Sequence, residues 1–134
     1  MNTVQQVVIL SAELSTANDN ARRTSLLNDM IAELKLPFKP ALGVYMGNKE
    51  NSFVVVVNSQ VEIDVLKGFA FKSFGQESIL HQDANQEARL IFADDSTKQL
   101  GRLEQVSKEL ALSLDNYTEM NGKFYTTVNR TSVA

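Results

Sequence analysis

The sequence predicts a single α+β domain with a mostly antiparallel sheet of five to seven strands, two main helices and a short third helix. Apolar runs of strand length are interspersed with segments whose apolar residues recur at helical spacing. Several of the strands are separated only by short turns, as in the hairpins of antiparallel sheets. The chain has 134 residues, 43% hydrophobic and 22% charged, which is typical of one globular domain. We expect that domain to cover residues 1–129, with a flexible tail over 130–134.

The first half of the chain is predicted to form a strand, a helix and a hairpin. Residues 3–11 are rich in valine, isoleucine and leucine, which favours a buried strand. Leucine, methionine and isoleucine recur at helical spacing over 22–35, which predicts an amphipathic helix that ends before Pro37. Two strands over 41–46 and 52–57 follow, joined by a turn that contains glycine and asparagine.

The second half is predicted to open with another helix and another hairpin. Ser59 is placed to cap a helix over 60–74, and Gly75 is placed to end it. The hairpin has strands over 77–82 and 88–93. The remaining predicted elements are a strand, a short helix and a closing strand: 99–105, 107–114 and 124–128.

Composition excludes several classes of protein. With 13 basic and 16 acidic side chains the net charge is −3, which gives no electrostatic drive towards nucleic acid or anionic lipid. The absence of cysteine excludes disulfides, thiol catalysis and cysteine-ligated zinc. No apolar stretch approaches the roughly 20 residues of a membrane helix, and the first residues do not resemble a signal peptide. We expect a cytoplasmic protein whose partners are neither nucleic acid nor membrane.

Catalytic motifs are missing from the sequence. The single histidine, His81, cannot build a multi-histidine metal site, and we interpret it as a structural or surface residue. Neither a nucleophile elbow nor a glycine-rich phosphate loop is present. Asp94 and Asp95 are typical of a solvated loop. The sequence therefore predicts no catalytic residue, no metal and no cofactor, and favours a protein that is not an enzyme.

The start of the first helix is a candidate anion site. Arg22 and Arg23 lie where the helix dipole already presents positive charge, so their own positive charges destabilise the helix. Together with the side chain of Asn20 and free backbone N–H groups, they could receive an anion or a partner. The alternative is structural pairing of the arginines with nearby carboxylates: Glu13, Asp19 or Glu77.

A second candidate site combines two polar segments. Gln76, Glu77 and Ser78 follow the second predicted helix, and Glu50 and Ser52 begin the central strand. They could form the wall of a shared polar pocket. The alternative is a buried hydrogen-bonding network with a purely structural role.

Short motifs in these same segments carry a resemblance: Asn20-x-x-Arg23-x-x-x-Leu27, Gly43-Val44-Tyr45, Glu50-x-Ser52-Phe53-x-Val55 and Phe74-Gly75-Gln76-Glu77-Ser78-Ile79-Leu80. In this order, and over residues 9–128, the chain resembles a family of small phage and bacterial domains. The resemblance implies an accessory protein, encoded by or associated with a phage and acting inside a bacterium. It implies no reaction.

Three functions remain open from the sequence. The leading prediction is a non-enzymatic, phage-related interaction protein that binds a bacterial host protein and modulates it. The alternative is a protein that binds or sequesters a nucleotide or another small anion through Arg22, Arg23, Gln76 and Glu77. The third is a metal-independent hydrolase or nuclease.

Overall fold

Strands make up most of the fold, and they close into a barrel. A computed structural model describes residues 5–128, and over these residues the chain forms eight strands: β1 Gln6–Ser11, β2 Phe38–Tyr45, β3 Asn48–Val57, β4 Ser78–Gln82, β5 Glu87–Phe92, β6 Thr97–Val106, β7 Tyr117–Met120 and β8 Lys123–Val128. They follow one another around the barrel in the order β1-β3-β2-β7-β8-β6-β5-β4, and β4 pairs again with β1. Every one of these pairings is antiparallel.

Three helices and a π-helical segment complete the described part of the chain: α1 Asn20–Glu33, α2 Gln60–Lys67, the π-helical segment Gly68–Ser73 and α3 Lys108–Leu112. Ser59 caps α2 as predicted, since its Oγ accepts a hydrogen bond from the N–H of Glu62 at 3.3 Å. The helix does not continue unchanged to residue 74, because its last turns widen into the π-helical segment. Gly75 follows with a φ of +64°, the conformation that favours glycine at the end of a helix.

The predicted α+β class is wrong, and so is the predicted number of strands. No strand was predicted over Tyr117–Met120, a short segment in which a threonine and a glutamate separate a tyrosine from a methionine. That segment forms β7, which pairs with β2 on one side and with β8 on the other. Closure therefore depends on backbone pairing between distant segments, which alternation of apolar residues does not reveal.

The main core lies on one face of β1, β3 and β4. Register places Val8 beside Val55 and Leu10 beside Phe53, so these side chains project from the same face. They form one hydrophobic cluster with buried residues of α1, α2, the π-helical segment and its end, β4 and β5: Leu27, Ile31, Ile63, Leu66, Ala70, Phe74, Ile79 and Ile91. Leu27 and Ile31 are fully buried, one turn apart on α1. The helical spacing of the sequence thus selects the face of α1 that covers the sheet.

The ends of β1 lie at opposite ends of this sheet. Ser11 pairs with Ser52 at the start of β3, whereas Gln6 pairs with Val57 at its end. Because a strand rises by about 3.3 Å per residue, Ser11 and Gln6 are separated by roughly 17 Å. The two ends carry different polar clusters.

No helix in residues 5–128 is long and apolar enough to cross a membrane. The tail predicted over 130–134 falls beyond the residues that the structure describes.

Candidate functional site

Polar side chains from three distant segments meet where β1 ends and β3 begins. We call this cluster the carboxylate site and define it by five residues: Ser11, Glu13, Glu50, Asn51 and Gln76. The antiparallel pairing of β1 with β3 brings the first four together, because Ser11 lies opposite Ser52. The turn that follows the π-helical segment brings in the fifth.

Glu13 is the centre of the hydrogen bonding. Its Oε1 accepts from the N–H of Asn51 at 2.8 Å, and its Oε2 accepts from Asn51 Nδ2 at 3.1 Å. Its own N–H donates to Ser11 Oγ at 3.0 Å, and its carbonyl oxygen accepts from Gln76 Nε2 at 2.8 Å. Backbone and side chain of Glu13 are both held, so its carboxylate has a fixed position at the start of β3.

Glu50 supplies a second negative charge beside the first. The residue is exposed overall, yet partial burial of its carboxyl group raises its pKa above the ordinary value of 4.5. A hydrogen bond from Ser11 lowers the pKa of Glu50, while the negative charge of Glu13 raises it. Two carboxylates in one place repel each other, and a cation bound near them would relieve that repulsion.

A glycine lies beside Glu50 on the neighbouring strand. Gly43 of β2 pairs with Glu50, so the position beside the carboxylate on β2 carries no side chain. A Cβ on Gly43 would meet Ser52 Oγ at 3.4 Å and the carbonyl oxygen of Glu50 at 3.6 Å. Ser52 itself is buried and lies on the same face as Glu50.

Arg23 holds the segment between β1 and α1 in place. Its Nε donates to the carbonyl oxygen of Ala12 at 2.7 Å, and its Nη2 donates to the carbonyl oxygen of Phe74. The guanidinium also lies over the Phe74 ring, 5.4 Å from the ring centroid. Arg23 thus bonds to two backbone carbonyls and not to the carboxylates considered from the sequence. The widened backbone of the π-helical segment places Phe74 for this contact.

The other sequence-predicted residues lie around the carboxylate site or away from it. Asn20 closes the β1–α1 segment, since its Oδ1 accepts from the N–H of Leu14 at 3.0 Å and its Nδ2 donates to the carbonyl oxygen of Leu14 at 3.0 Å. Arg22 and Glu77 are exposed, and Ser78 is half-buried at the start of β4. Hydrogen bonds therefore join Asn51 and Gln76 through Glu13, while Glu50 lies close enough to Glu13 to feel its charge. Arg22 and Glu77 lie outside this network.

A surface groove of about 340 Å³ runs between α1 and strands β2 and β3. Thr24 and Asn28 line it from the helix, and Pro40 and Phe53 line it from the strands. Asn51 lies both in the groove and in the carboxylate site. In the described part of the chain the Thr24 hydroxyl is buried and has no hydrogen-bond partner. The groove therefore adjoins the carboxylate site through Asn51, although neither Glu13 nor Glu50 lines it.

Residues 5–128 contain no group of three or more His, Asp or Glu side chains that could hold a metal ion. Asp94 and Asp95 lie on the turn between β5 and β6, as their sequence context indicated. Asp94 accepts hydrogen bonds from the N–H and Oγ of Ser96, and these lower its pKa. Asp95 pairs with Lys67.

Sequence reasoning missed Ser11, Glu13 and Asn51 as members of one site. Glu13 was considered only as a pairing partner of the arginines. A weak signal existed, because Ser11 and Glu13 are the polar residues that end an apolar strand, and Glu50 to Ser52 are the polar residues that begin one. Polar groups at the ends of two strands meet when the strands are antiparallel neighbours, but the pairing itself was unknown.

The fold is a small closed antiparallel barrel with two neighbouring carboxylates, Glu13 and Glu50, near the start of β3. Residues 8–128 match the sequence model of the S-adenosylmethionine lyase family. The match covers nearly the whole chain, and the chain therefore belongs to this family. Among curated proteins, none matches it.

This membership corrects the leading functional prediction. The expected family of small domains is confirmed, but the family name points to an enzyme, so a non-enzymatic protein that modulates a host is the wrong interpretation. The match says nothing about a phage origin, nor does it favour an anion-binding protein. The prediction failed because it relied on the absence of known motifs, and carboxylates that are 37 positions apart in the chain form no motif.

Proposed function

We propose that the chain is an enzyme that cleaves S-adenosylmethionine, and that the carboxylate site binds the sulfonium group of this substrate. The observation that carries the proposal is the family match over residues 8–128. The paired charges of Glu13 and Glu50 support it, because the substrate of the family is a cation at its sulfur atom. The cytoplasmic location expected from the sequence stays part of this proposal.

The chemistry of a lyase fits a site without a metal ligand set. A sulfonium sulfur leaves as a neutral thioether, so breaking one of its carbon–sulfur bonds needs no metal to stabilise the leaving group. In an elimination, a base removes a proton from the carbon next to the one bonded to sulfur, the electrons of that C–H bond form a double bond, and the electrons of the broken C–S bond stay on sulfur. The protein must therefore supply a position for the sulfonium and a base. We assign Glu50 as this base, since its raised pKa brings its ionisation closer to neutral pH. We assign Glu13, whose carboxylate is fixed by Asn51, to attract the positive charge of the sulfonium.

Ligand charge gives a direct test of binding. S-adenosylhomocysteine has the same nucleoside and amino acid parts but a neutral sulfur. We expect S-adenosylmethionine to raise the melting temperature of an inactive variant more than S-adenosylhomocysteine does, because only the former offsets the repulsion between Glu13 and Glu50. Equal stabilisation by the two compounds would remove the carboxylates from the binding step.

Mass balance tests the reaction itself. The purified chain is incubated with S-adenosylmethionine in heavy-oxygen water, and the products are measured by mass spectrometry. A lyase gives two fragments whose masses add up to that of the substrate, before any later reaction with water. Heavy oxygen incorporated at the moment of cleavage would identify a hydrolase, and unchanged substrate would contradict the proposed activity.

A further inference from the structure

A second polar recess lies at the other end of β1, away from the carboxylate site. It has a volume of about 380 Å³ and is lined by Asp83, Glu87, Arg89, Gln99 and Gly101. These residues come from β5, β6 and the turn between β4 and β5. The proposed cleavage of S-adenosylmethionine uses none of them.

Strand register places a row of polar side chains along the edge of this recess. His81 pairs with Arg89, and Arg89 pairs with Gln99, so the three side chains project from one face of neighbouring strands. The register between β5 and β6 shifts between Ala88 and Arg89, a local irregularity that often re-aims a side chain. Gly101 follows on β6 with a φ of +96°, a conformation that favours glycine.

Two buried nitrogen atoms in this row have no hydrogen-bond partner within the described residues: Arg89 Nε and His81 Nδ1. His81 is only 2% exposed, and its Nε2 lies 3.1 Å from the side-chain oxygen of Gln6. When Nε2 donates that hydrogen bond, Nδ1 of the neutral ring is an acceptor without a donor. Arg89 Nε is a donor without an acceptor. Buried polar atoms without partners are costly, so each of these two atoms needs a partner that a small rearrangement, a water molecule or a ligand could supply.

The charged side chains that line the recess form no ion pairs with one another among the described residues. In the described part of the chain, Arg89 forms no ion pair with Asp83 or Glu87. Asp83 uses one carboxylate oxygen to accept from the N–H groups of Asn85 and Glu87, which fixes its position in the turn. The recess is thus lined by one guanidinium, two carboxylates and one amide. A ligand that carries both a negative and a positive group would match charges of both signs.

We propose that this recess binds the zwitterionic head of a free α-amino acid. The carboxylate of the ligand accepts from the Arg89 guanidinium, whose planar set of donors matches a carboxylate. The ammonium group lies towards Asp83 and Glu87, and Gln99 can donate its amide N–H to the carboxylate or accept from the ammonium group with its amide oxygen. The recess is open enough to leave the amino acid side chain in solvent, so the head group alone is recognised.

The single histidine provides a local readout for a binding experiment. The ring resonances of His81 are recorded by NMR while L-methionine is added up to about 10 mM, tenfold above a millimolar Kd. Binding in the recess shifts these resonances in a saturable way. Methioninol lacks the carboxylate and 4-(methylthio)butanoate lacks the ammonium group, and we expect each to bind at least about tenfold more weakly, the equivalent of one lost ionic contact.

Matched variants locate the site. Arg89→Gln removes the guanidinium and is expected to abolish the saturable shift, whereas Lys98→Gln removes an exposed charge on the opposite face of β6 and is expected to leave it intact. Should Arg89→Gln unfold, Arg89→Lys keeps the charge but not the planar donors, and is expected to weaken binding. The proposal is overturned if L-methionine leaves His81 unshifted, if the folded arginine variants bind as tightly as the native chain, or if both half-ligands bind as tightly as L-methionine.

This inference does not rest on the proposed cleavage of S-adenosylmethionine. Glu50→Gln is expected to retain the His81 shift, because Glu50 lies at the other end of the sheet. Loss of binding in the recess would leave the cleavage assay unaffected, and absence of cleavage would leave the His81 titration unaffected.

Discussion

The two ends of β1 differ in how their polar groups are satisfied. At the carboxylate site, Glu13 is bonded through both carboxylate oxygens, its N–H and its carbonyl oxygen. At the recess, Arg89 Nε and His81 Nδ1 are buried and unpartnered among the described residues. One end is therefore held rigidly before any ligand arrives, as a site that positions a reacting group must be. The other end has hydrogen bonds to offer, as a site that only binds does.

Removing the charge of Glu50 is the change with the largest expected effect. We expect Glu50→Gln to lower kcat/KM for S-adenosylmethionine by about 100-fold or more, the lower end of what a positioned proton-exchanging group contributes. The replacement has the same shape, so the effect reports the charge. Rates of substrate loss measured by chromatography check this prediction.

Glu77→Gln is the control for this experiment. It removes the same charge from an exposed residue outside the carboxylate site and is expected to retain native activity. Equal losses in Glu50→Gln and Glu77→Gln would show that overall charge, not position, governs activity. Full activity in Glu50→Gln would exclude Glu50 from the reaction.

The second prediction concerns Arg23, which holds the segment between β1 and α1 next to the carboxylate site. Arg23→Met keeps most of the apolar stem but leaves the carbonyl groups of Ala12 and Phe74 without their donor. We expect the free energy of unfolding to fall by about 3 kcal/mol, the upper range for a hydrogen bond to a charged group. Urea denaturation measures it.

Arg22→Met is the matched control, since Arg22 is exposed on the same helical turn. Its effect is expected to stay within about 0.5 kcal/mol, as for most surface substitutions. If both variants lose the same stability, the contacts of Arg23 do not hold the β1–α1 segment, and the rigidity of this end has another origin.

Local signals in the sequence predicted most elements but neither their assembly nor the full site. The helix expected over 22–35 forms as Asn20–Glu33, and the strand expected over 99–105 lies within Thr97–Val106. These elements carry their own periodicity. β2 begins at Phe38, before the predicted start at residue 41, and so includes Pro40. Barrel closure depends on β7, a strand without a local signal.

The functional residues were harder to predict because their neighbours are distant in the chain. Glu50 and Gln76 were singled out from the sequence, but Glu13 was considered only as a partner of the arginines. Its one signal was weak, since it is a polar residue just after an apolar strand. Its hydrogen bonds with Asn51 and Gln76 join residues 38 and 63 positions away. The recess is a similar case, since the row from His81 to Gln99 exists only through strand register.

The smallest expected effect is the pH dependence of stability, to which Glu50 at one end of β1 and His81 at the other contribute with opposite signs. Burial raises the pKa of Glu50 above 4.5 and lowers the pKa of His81 below 6.5, where the positive charge of Arg89 lowers it further and Asp83 opposes the shift. For Glu50, the folded state binds the proton more tightly than the unfolded state does. Its ionisation therefore destabilises the fold as pH rises from 4.5 through the folded pKa. For His81, the unfolded state binds the proton more tightly, so stability falls as pH drops below 6.5.

Urea denaturation of the native chain and of Glu50→Gln across this range isolates the contribution of the carboxylate site. We expect the variant to become more stable than the native chain as pH rises from 4.5, and the difference to level off above the folded pKa of Glu50. An NMR titration of His81 measures the lowered pKa from which its opposite contribution to stability follows. We expect a midpoint below 6.5 in both proteins. A stability difference that does not vary with pH would mean that Glu50 is as well solvated in the folded chain as in the unfolded one. In that case the carboxylate site would hold no unrelieved charge for a sulfonium to offset, and the electrostatic reason for placing the substrate there would be lost.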